Sequence, residues 1–344
     1  MRMVRFGKTE LMVSEVAFGG IPIMRRTKAD AVELVHAAIE LGVNFIDTAH
    51  GYADSEEKIG EAIRNIPREK LIIASKSPAS DKKGFLEQLE LTLKRLGTDY
   101  VDIYQHHGVS TQEKMDAVLG PGGAFEGMIE GVADGRIRHP AFSSHNANIA
   151  KKMMQTGNFE ALQFPFNFVD EAAAEEVIPM AKELDMGFIA MKPLGGGLLE
   201  SAEPCFRYLM QYESIVPDPG IEKIEEIREI VALYEDRREL TEADKKHMQD
   251  LREELGDSWC HRCDYCQPCP EGIKISSILV AKGSAKRMTK ERAMSMLGPA
   301  IEQSKNCQEC RDCVSRCPYD LDIPELLKVY QQKWDGFVST GVWA

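Results

Sequence analysis

The sequence predicts an α/β chain: a (β/α)8 barrel over residues 1–255, followed by a small, mainly helical, cysteine-rich domain over 256–344. Three observations carry this reading. Eight short apolar runs rich in β-branched residues recur between Glu15 and Asp218, with amphipathic stretches between them. At 344 residues and 43% apolar composition, the chain can bury one large core with room for a second, small unit. Eight of the nine cysteines fall in two tight runs near the C-terminus, leaving only Cys205 outside them, where it is expected as a buried small apolar residue.

The eight strand candidates are "EVAFGG", "VNFID", "LIIASK", "YVDIYQH", "RHPAFSS", "ALQFPF", "GFIAMK" and "SIVPD". Helical stretches such as "KADAVELVHAAIELG" and "KKGFLEQLELTLKRLG" separate them, each closing on a glycine suited to a C-cap. Strand-then-helix units imply right-handed βαβ crossovers, and eight of them in about 250 residues have the size of a TIM barrel. An open doubly wound sheet is the alternative, but no strand is followed by a G-x-G-x-x-G turn. Pro140 in the fifth run predicts a local irregularity there.

Net charge is −13, from 55 acids against 42 bases, and many of the acids lie in helical stretches such as "KIEEIREIVALYED". That pattern reads as solvated helix faces and makes nucleic acid an unexpected partner. The opening "MRMVRFGKTELMVSE" has charges where a signal peptide needs an apolar run, and no later stretch has the apolar length of a membrane span. A cytoplasmic protein without a membrane partner is the expectation.

In "CHRCDYCQPCPEG" the cysteines stand at 260, 263, 266 and 269; in "CQECRDCVSRCPYDLDIP" they stand at 307, 310, 313 and 317, with Pro318 following. The second spacing is the bacterial ferredoxin run, whose last cysteine ligates the other cluster in two-cluster ferredoxins. Two 4Fe–4S clusters are therefore expected, with Cys269 and Cys317 exchanged between them. The first run departs from the usual spacing, since only Gln267 and Pro268 separate Cys266 from Cys269. A four-thiolate zinc site is the competing reading, but it calls for two separated cysteine pairs rather than four cysteines in a row. Between the runs "IKISSILVAKGSAKRMTKERAMSML" reads as a helical connection, and "LDIPELLKVYQQKW" as a closing helix.

Barrel chemistry sits where strands end. Asp47 ends the second run, Tyr52 follows it, Lys76 ends the third, and His106 and His107 end the fourth. Each alone has a structural explanation as a cap, a packing residue or a solvated strand end. As a set on successive strands they predict a lysine whose charge eases proton loss from a neighbouring tyrosine.

Those segments resemble the aldo-keto reductases over roughly residues 1–230. "FIDTAHGYADSEEKIGEA" is similar to that family's Asp and Tyr signature, "IIASK" to its Lys strand and "DYVDIYQHHG" to its His strand. With the cysteine tail, the chain resembles the branch carrying a C-terminal ferredoxin-like domain. The resemblance implies an NADP- or NAD-dependent carbonyl reductase or alcohol dehydrogenase. Tyr52 would be its general acid, Lys76 and Asp47 would lower the tyrosine's pKa, and His107 would orient the substrate oxygen. His106 would point to the opposite face and pack. Ser143, Ser144 and Gln163 match the residues that hold the nicotinamide carboxamide, with Asn146 and Asn167 nearby. "MKPLGGGLL", with Lys192, Pro193, Leu194 and Gly195, and then Gly196 and Gly197, resembles the pyrophosphate loop. Lys223 stands where the family places a cation for the 2′-phosphate, but Glu222, Glu225 and Glu226 surround it. That departure puts the NADP preference in question.

The expected substrate is a small carbonyl compound or alcohol, with His50, the loop "GPGGAFEG" and Trp259 as candidate pocket positions. The alternative is an electron-transfer protein whose clusters relay single electrons to a ferredoxin or other redox partner. Splitting a hydride pair between one-electron clusters needs a converter such as a flavin, and the sequence has no clear flavin motif. A purely structural role for the clusters is the third possibility.

Overall fold

A computed structural model describes the chain apart from Ala172, Asp257, Pro318 and Ala344. Pro318, singled out above, thus lies outside the described residues. By internal packing the chain forms two compact units, one of Met1–Leu194 with Leu199–Glu239 and one of Gly195–Leu198 with Leu240–Ala344.

In the first unit, β1 (Met3–Arg5) and β2 (Met12–Ser14) form an antiparallel hairpin that the sequence reading did not include. Eight parallel strands follow: β3 (Phe18–Gly19), β4 (Phe45–Asp47), β5 (Ile72–Ser77), β6 (Val101–His106), β7 (Ile137–Ser143), β8 (Ala161–Pro165), β9 (Gly187–Met191) and β10 (Val216–Asp218). Each strand pairs with the next in sequence, and a parallel bridge between Gly19 and Gly220 brings the two edge strands together into a nearly closed (β/α)8 barrel. The barrel interior is filled by Val13, Ala17, Phe45, Ala74, Ile103, Ala141, Ile189 and Val216, with Phe6 from the hairpin end among them. Phe6 packs so closely on Gly187 that a Cβ there would stand 2.3 Å from the ring, so β9 must begin with glycine.

The helices start and stop on local chemistry. Thr27 caps α1 (Lys28–Glu40) by accepting from Asp30 N at 3.2 Å, and Asp81 caps α3 (Lys82–Leu96) by accepting from Gly84 N at 2.9 Å. Gly97 ends α3 at φ +66°, as the glycine at the end of that stretch predicted. The irregularity expected at Pro140 is absent: β7 runs through it in register with Tyr104. Pairing with β8 begins only at Ala141, so the missing N–H falls where that ladder has not started, and the Pro140 carbonyl accepts from Glu160 N at 2.9 Å.

The second unit is helical. It includes helices Glu242–Gly256, Ile275–Leu279, Ala281–Arg287, Lys290–Ser304, Asp312–Ser315 and Ile323–Thr340. Its core joins Ile273, Ile275, Ile278, Leu297, Ile301, Leu321, Ile323, Leu327, Trp334 and Phe337, against which Cys260, Cys269, Cys307, Cys313 and Cys317 pack. The helix Glu242–Gly256 belongs to this unit by packing, whereas the sequence reading placed the boundary after residue 255. Among the described residues no helix is long and apolar enough to cross a membrane.

Candidate active site

Asp47 and Lys76 end up face to face because β4 and β5 are neighbours whose inward side chains emerge at the same end of the barrel. Lys76 Nζ donates to Asp47 Oδ2 at 2.5 Å and to the Thr48 carbonyl at 2.7 Å, and both side chains are at most 2% exposed. Burial by itself would lower the lysine's pKa. The charge of Asp47 leads the influences that outweigh it, so the pKa is raised and the ammonium form is held.

Tyr52 sits in the turn between β4 and α2 (Ser55–Ile63), its N–H donating to the Ala49 carbonyl at 2.9 Å. The Lys76 ammonium lies 5.2 Å from the centre of its ring, and the ring meets His107 edge-on at 5.8 Å. Ala53, directly after Tyr52, adopts φ +48°, a left-handed conformation that a side chain adopts at a cost of about 1 kcal/mol. Asp47, Tyr52, Lys76 and His107, named from the sequence, therefore form one cluster. His106 points away and is fully buried against Phe85, Phe125 and Phe159, where burial pushes its pKa down to about 3. Neither of its ring nitrogens has a hydrogen-bond partner among the described residues.

The cofactor candidates divide. Ser143 pairs with Gln163 across β7 and β8, and its hydroxyl accepts from Gly108 N at 2.9 Å, leaving its own hydrogen to donate. Ser144 is committed locally, its hydroxyl donating to the Asn146 carbonyl and accepting from Asn146 N, both at 3.2 Å. Asn146 caps α6 (Ala147–Gln155), and Asn167 braces its own loop and the Lys192 carbonyl. The Gln163 amide donates through Nε2 to Asp218 Oδ2 at 2.9 Å and, at 3.4 Å, to Asp47 Oδ2. Its Oε1 is buried without a partner among the described residues. A buried amide oxygen in that condition fits a ligand that brings an N–H, as a primary carboxamide does.

Lys192 follows β9 at φ +59°, then come Pro193 and Leu194; Gly195, Gly196 and Gly197 all have positive φ, a run only glycine tolerates easily. The segment Gly195–Leu198 belongs to the second unit, where Lys286 Nζ donates to the Gly197 carbonyl at 3.4 Å and a Cβ on Gly196 would lie 2.9 Å from the Arg287 guanidinium. Those two cations were not singled out from the sequence, which offers only a basic pair in a helix. Lys223 precedes α9 (Ile224–Glu235), and the carboxylate of Glu226 accepts from the backbone N–H groups of Glu222 and Lys223 at 2.8 and 3.1 Å. The two amides just before this helix are thus already engaged by an anion of the chain itself.

The cysteines sort into two cradles. One is lined by Cys269, Cys307, Cys310 and Cys313, and the other by Cys260, Cys263, Cys266 and Cys317. The first encloses about 90 Å³, room for several atoms where a water takes about 10–15 Å³, and the second closes to about 20 Å³. Burial pushes the Cys260 and Cys266 thiols up to about 12, and Cys263 and Cys313 upward too, so thiolates there need a bound cationic centre. Among the described residues no group of three or more His, Cys, Asp or Glu is gathered closely enough to hold a single metal ion. The remaining cysteine, Cys205, is buried as expected.

The profile of the aldo/keto reductase family matches residues 15–204, more than half of the chain. The chain belongs to that family. It is 31% identical over 213 residues to a Bacillus subtilis (strain 168) protein called uncharacterized oxidoreductase YqkF, an alignment covering 58% of this chain and 67% of that protein. It is 25% identical over 228 residues to the Escherichia coli (strain K12) NADH-specific methylglyoxal reductase, covering 58% and 69%. Aldo-keto reductase AKR11C1 from Bacillus halodurans in its holo form superposes with a TM-score of 0.64 at 22% identity, over 73% of this chain and 96% of that one. A Klebsiella pneumoniae aldo-keto reductase in complex with NADPH gives 0.61 at 21%, over 73% and 95%. At these identities the likeness to the solved structures is one of fold. This aldo/keto reductase is an oxidoreductase enzyme, built on the (β/α)8 barrel of its relatives.

Proposed function

We propose that the protein reduces a small carbonyl compound, or oxidises the corresponding alcohol, with a nicotinamide dinucleotide, and that its second unit is a ferredoxin-like domain carrying two 4Fe–4S clusters. The observation that carries the first part is the buried Lys76–Asp47 pair beside the Tyr52 ring. The dinucleotide, when bound, supplies or accepts the hydride. Tyr52 is the general acid that protonates the carbonyl oxygen. The cation beside it stabilises the tyrosinate left behind, and Asp47 fixes the ammonium by a hydrogen bond of 2.5 Å. His107, edge-on to Tyr52, orients the substrate oxygen. Gln163 and Ser143 hold the carboxamide of the nicotinamide. In the segment Lys192, Pro193, Leu194 and Gly195, every residue but Pro193, which has no N–H, offers a backbone N–H group to the pyrophosphate. Glu226, engaged with the amides beside Lys223, supports NADH over NADPH.

For the second unit, the support is the sorting of eight cysteines into two fours, with Cys269 and Cys317 crossing over as the ferredoxin spacing anticipates. Cys310 is exposed, which favours electron exchange with a redox partner over a sealed structural cluster. Replacement of Tyr52 by Phe is the direct test of the barrel reading. Turnover should fall about 10²–10⁴-fold with dinucleotide affinity nearly unchanged. Unaltered turnover would remove Tyr52 from the mechanism.

A further inference from the structure

Two buried carboxyl groups, not one, face Lys76. Asp218, the last residue of β10, is 8% exposed, and its Oδ2 accepts at 2.9 Å from the same Gln163 Nε2 that reaches Asp47 Oδ2 at 3.4 Å. Both groups accept and neither donates when ionised, so two carboxylates gathered on one amide repel each other unless one of them holds a proton. Around them β5 gives the ammonium of Lys76, β8 the neutral amide of Gln163, β6 the neutral amide of Gln105 at 3.4 Å from Asp47 Oδ1, and the turn after β4 the neutral phenol of Tyr52. Asp218 Oδ1 has no N–H or O–H donor among the described residues. Among the described residues one cation thus serves two buried carboxyl groups, an arrangement in which one of them stays neutral.

We infer that Asp218 is a positioning residue: it carries a proton shared with Asp47 and, through its other oxygen, fixes the Gln163 amide so that Oε1 is left to receive the cofactor's carboxamide. Only Nε2 of the glutamine can donate, and Asp218 Oδ2 accepts from it at 2.9 Å, which determines the orientation of the amide. Burial, with the charge of Asp47 next, raises the Asp218 pKa well above the ordinary carboxyl range, against a smaller opposing effect of Lys76. With Asp218 neutral, the Lys76 charge is matched to Asp47 alone, and nothing further draws it away from Tyr52. This inference rests on the reductase reading for the carboxamide and on the barrel geometry for the proton.

The experiment separates those two supports. Infrared difference spectra of the purified protein without cofactor, wild type against Asp218→Asn at neutral pH, should contain the carbonyl stretch of a protonated carboxyl group that is lost in the variant. Dinucleotide affinity is then measured by quenching of tryptophan fluorescence with NADH. Asparagine presents an oxygen to Gln163 and an N–H to Asp47, as the protonated acid does, so its Kd should stay within about threefold of wild type. Asp218→Ala, which withdraws both, should weaken binding tenfold or more; if that variant does not fold, Asp218→Ser takes its place. A spectrum without the protonated band overturns the shared proton, and alanine binding NADH as wild type does overturns the positioning. A wild-type protein that binds neither NADH nor NADPH overturns the reductase reading and the positioning with it, while the band still decides the proton.

Discussion

Replacing Lys76 by Met keeps the volume at the end of β5 and removes the charge. Asp47, 1% exposed, then loses its 2.5 Å partner and retains the amides of Gln105 and Gln163, each at 3.4 Å, together with the proton it shares with Asp218 on the inference above. Stranding one member of a buried ion pair costs about 3–5 kcal/mol, which for a unit of this size lowers the thermal midpoint by roughly 6–20 °C. Adding Asp47→Asn removes the stranded charge, so the double variant should be more stable than Lys76→Met alone, with a coupling of about 0.5–3 kcal/mol. Turnover should behave differently: it falls about 10²–10⁴-fold in Lys76→Met and is not recovered in the double variant, because the cation beside Tyr52 is absent from both. Thermal unfolding followed by circular dichroism, with steady-state rates on the same preparations, reads both quantities. The folded pKa of Lys76 is raised, so its contribution to stability is complete below the unfolded value of about 10.4 and is lost as pH rises through the folded one. Additive stability losses, or a Lys76→Met enzyme within a few-fold of wild-type turnover, would refute the coupled cluster.

His106, pushed down to about 3 by burial, is neutral in the folded barrel, whereas its unfolded value lies near 6.5. Its contribution to stability is present above pH 6.5 and is lost as pH falls toward 3, so His106→Phe should move the acid-unfolding midpoint to lower pH; an unchanged midpoint would mean that another group governs acid unfolding. Iron content tests the crossed cradles. Cys269→Ser and Cys307→Ser line the same cavity, so the double variant should lose no more iron than either single one, whereas Cys269→Ser with Cys260→Ser should lose iron from both. If Cys269 and Cys260 instead behave as one site, each cysteine run holds its own cluster.

The barrel was legible because its strands are interior to a parallel sheet, where continuous β-branched runs and short helical intervals leave few alternatives. Asp47, Tyr52, Lys76 and His107 were legible because each is an ionisable residue at or just beyond a strand end. The hairpin β1–β2 was not, since three-residue strands carry little periodic signal and "MVR" and "MVS" alternate only once. The regularity of β7 at Pro140 was hidden for a different reason: whether a missing N–H matters depends on where the neighbouring ladder begins, which is a property of register.

Asp218 shows the limit of strand-end reading most directly. It closes "SIVPD" at the same end of the barrel as Asp47, so its type and place were visible, yet nothing in the run says whether its side chain faces the barrel axis or a helix start. Strand alternation fixes that only relative to an anchor, and Val216, two residues earlier in the interior core, is the anchor that the structure provides. From Val216 inward, Asp218 follows inward, and a carboxyl group so placed cannot avoid Asp47 and Lys76. The sequence therefore contained the third ionisable group of the site but not its direction, and it is the direction that turns a strand-end carboxyl into the proton-sharing group inferred above.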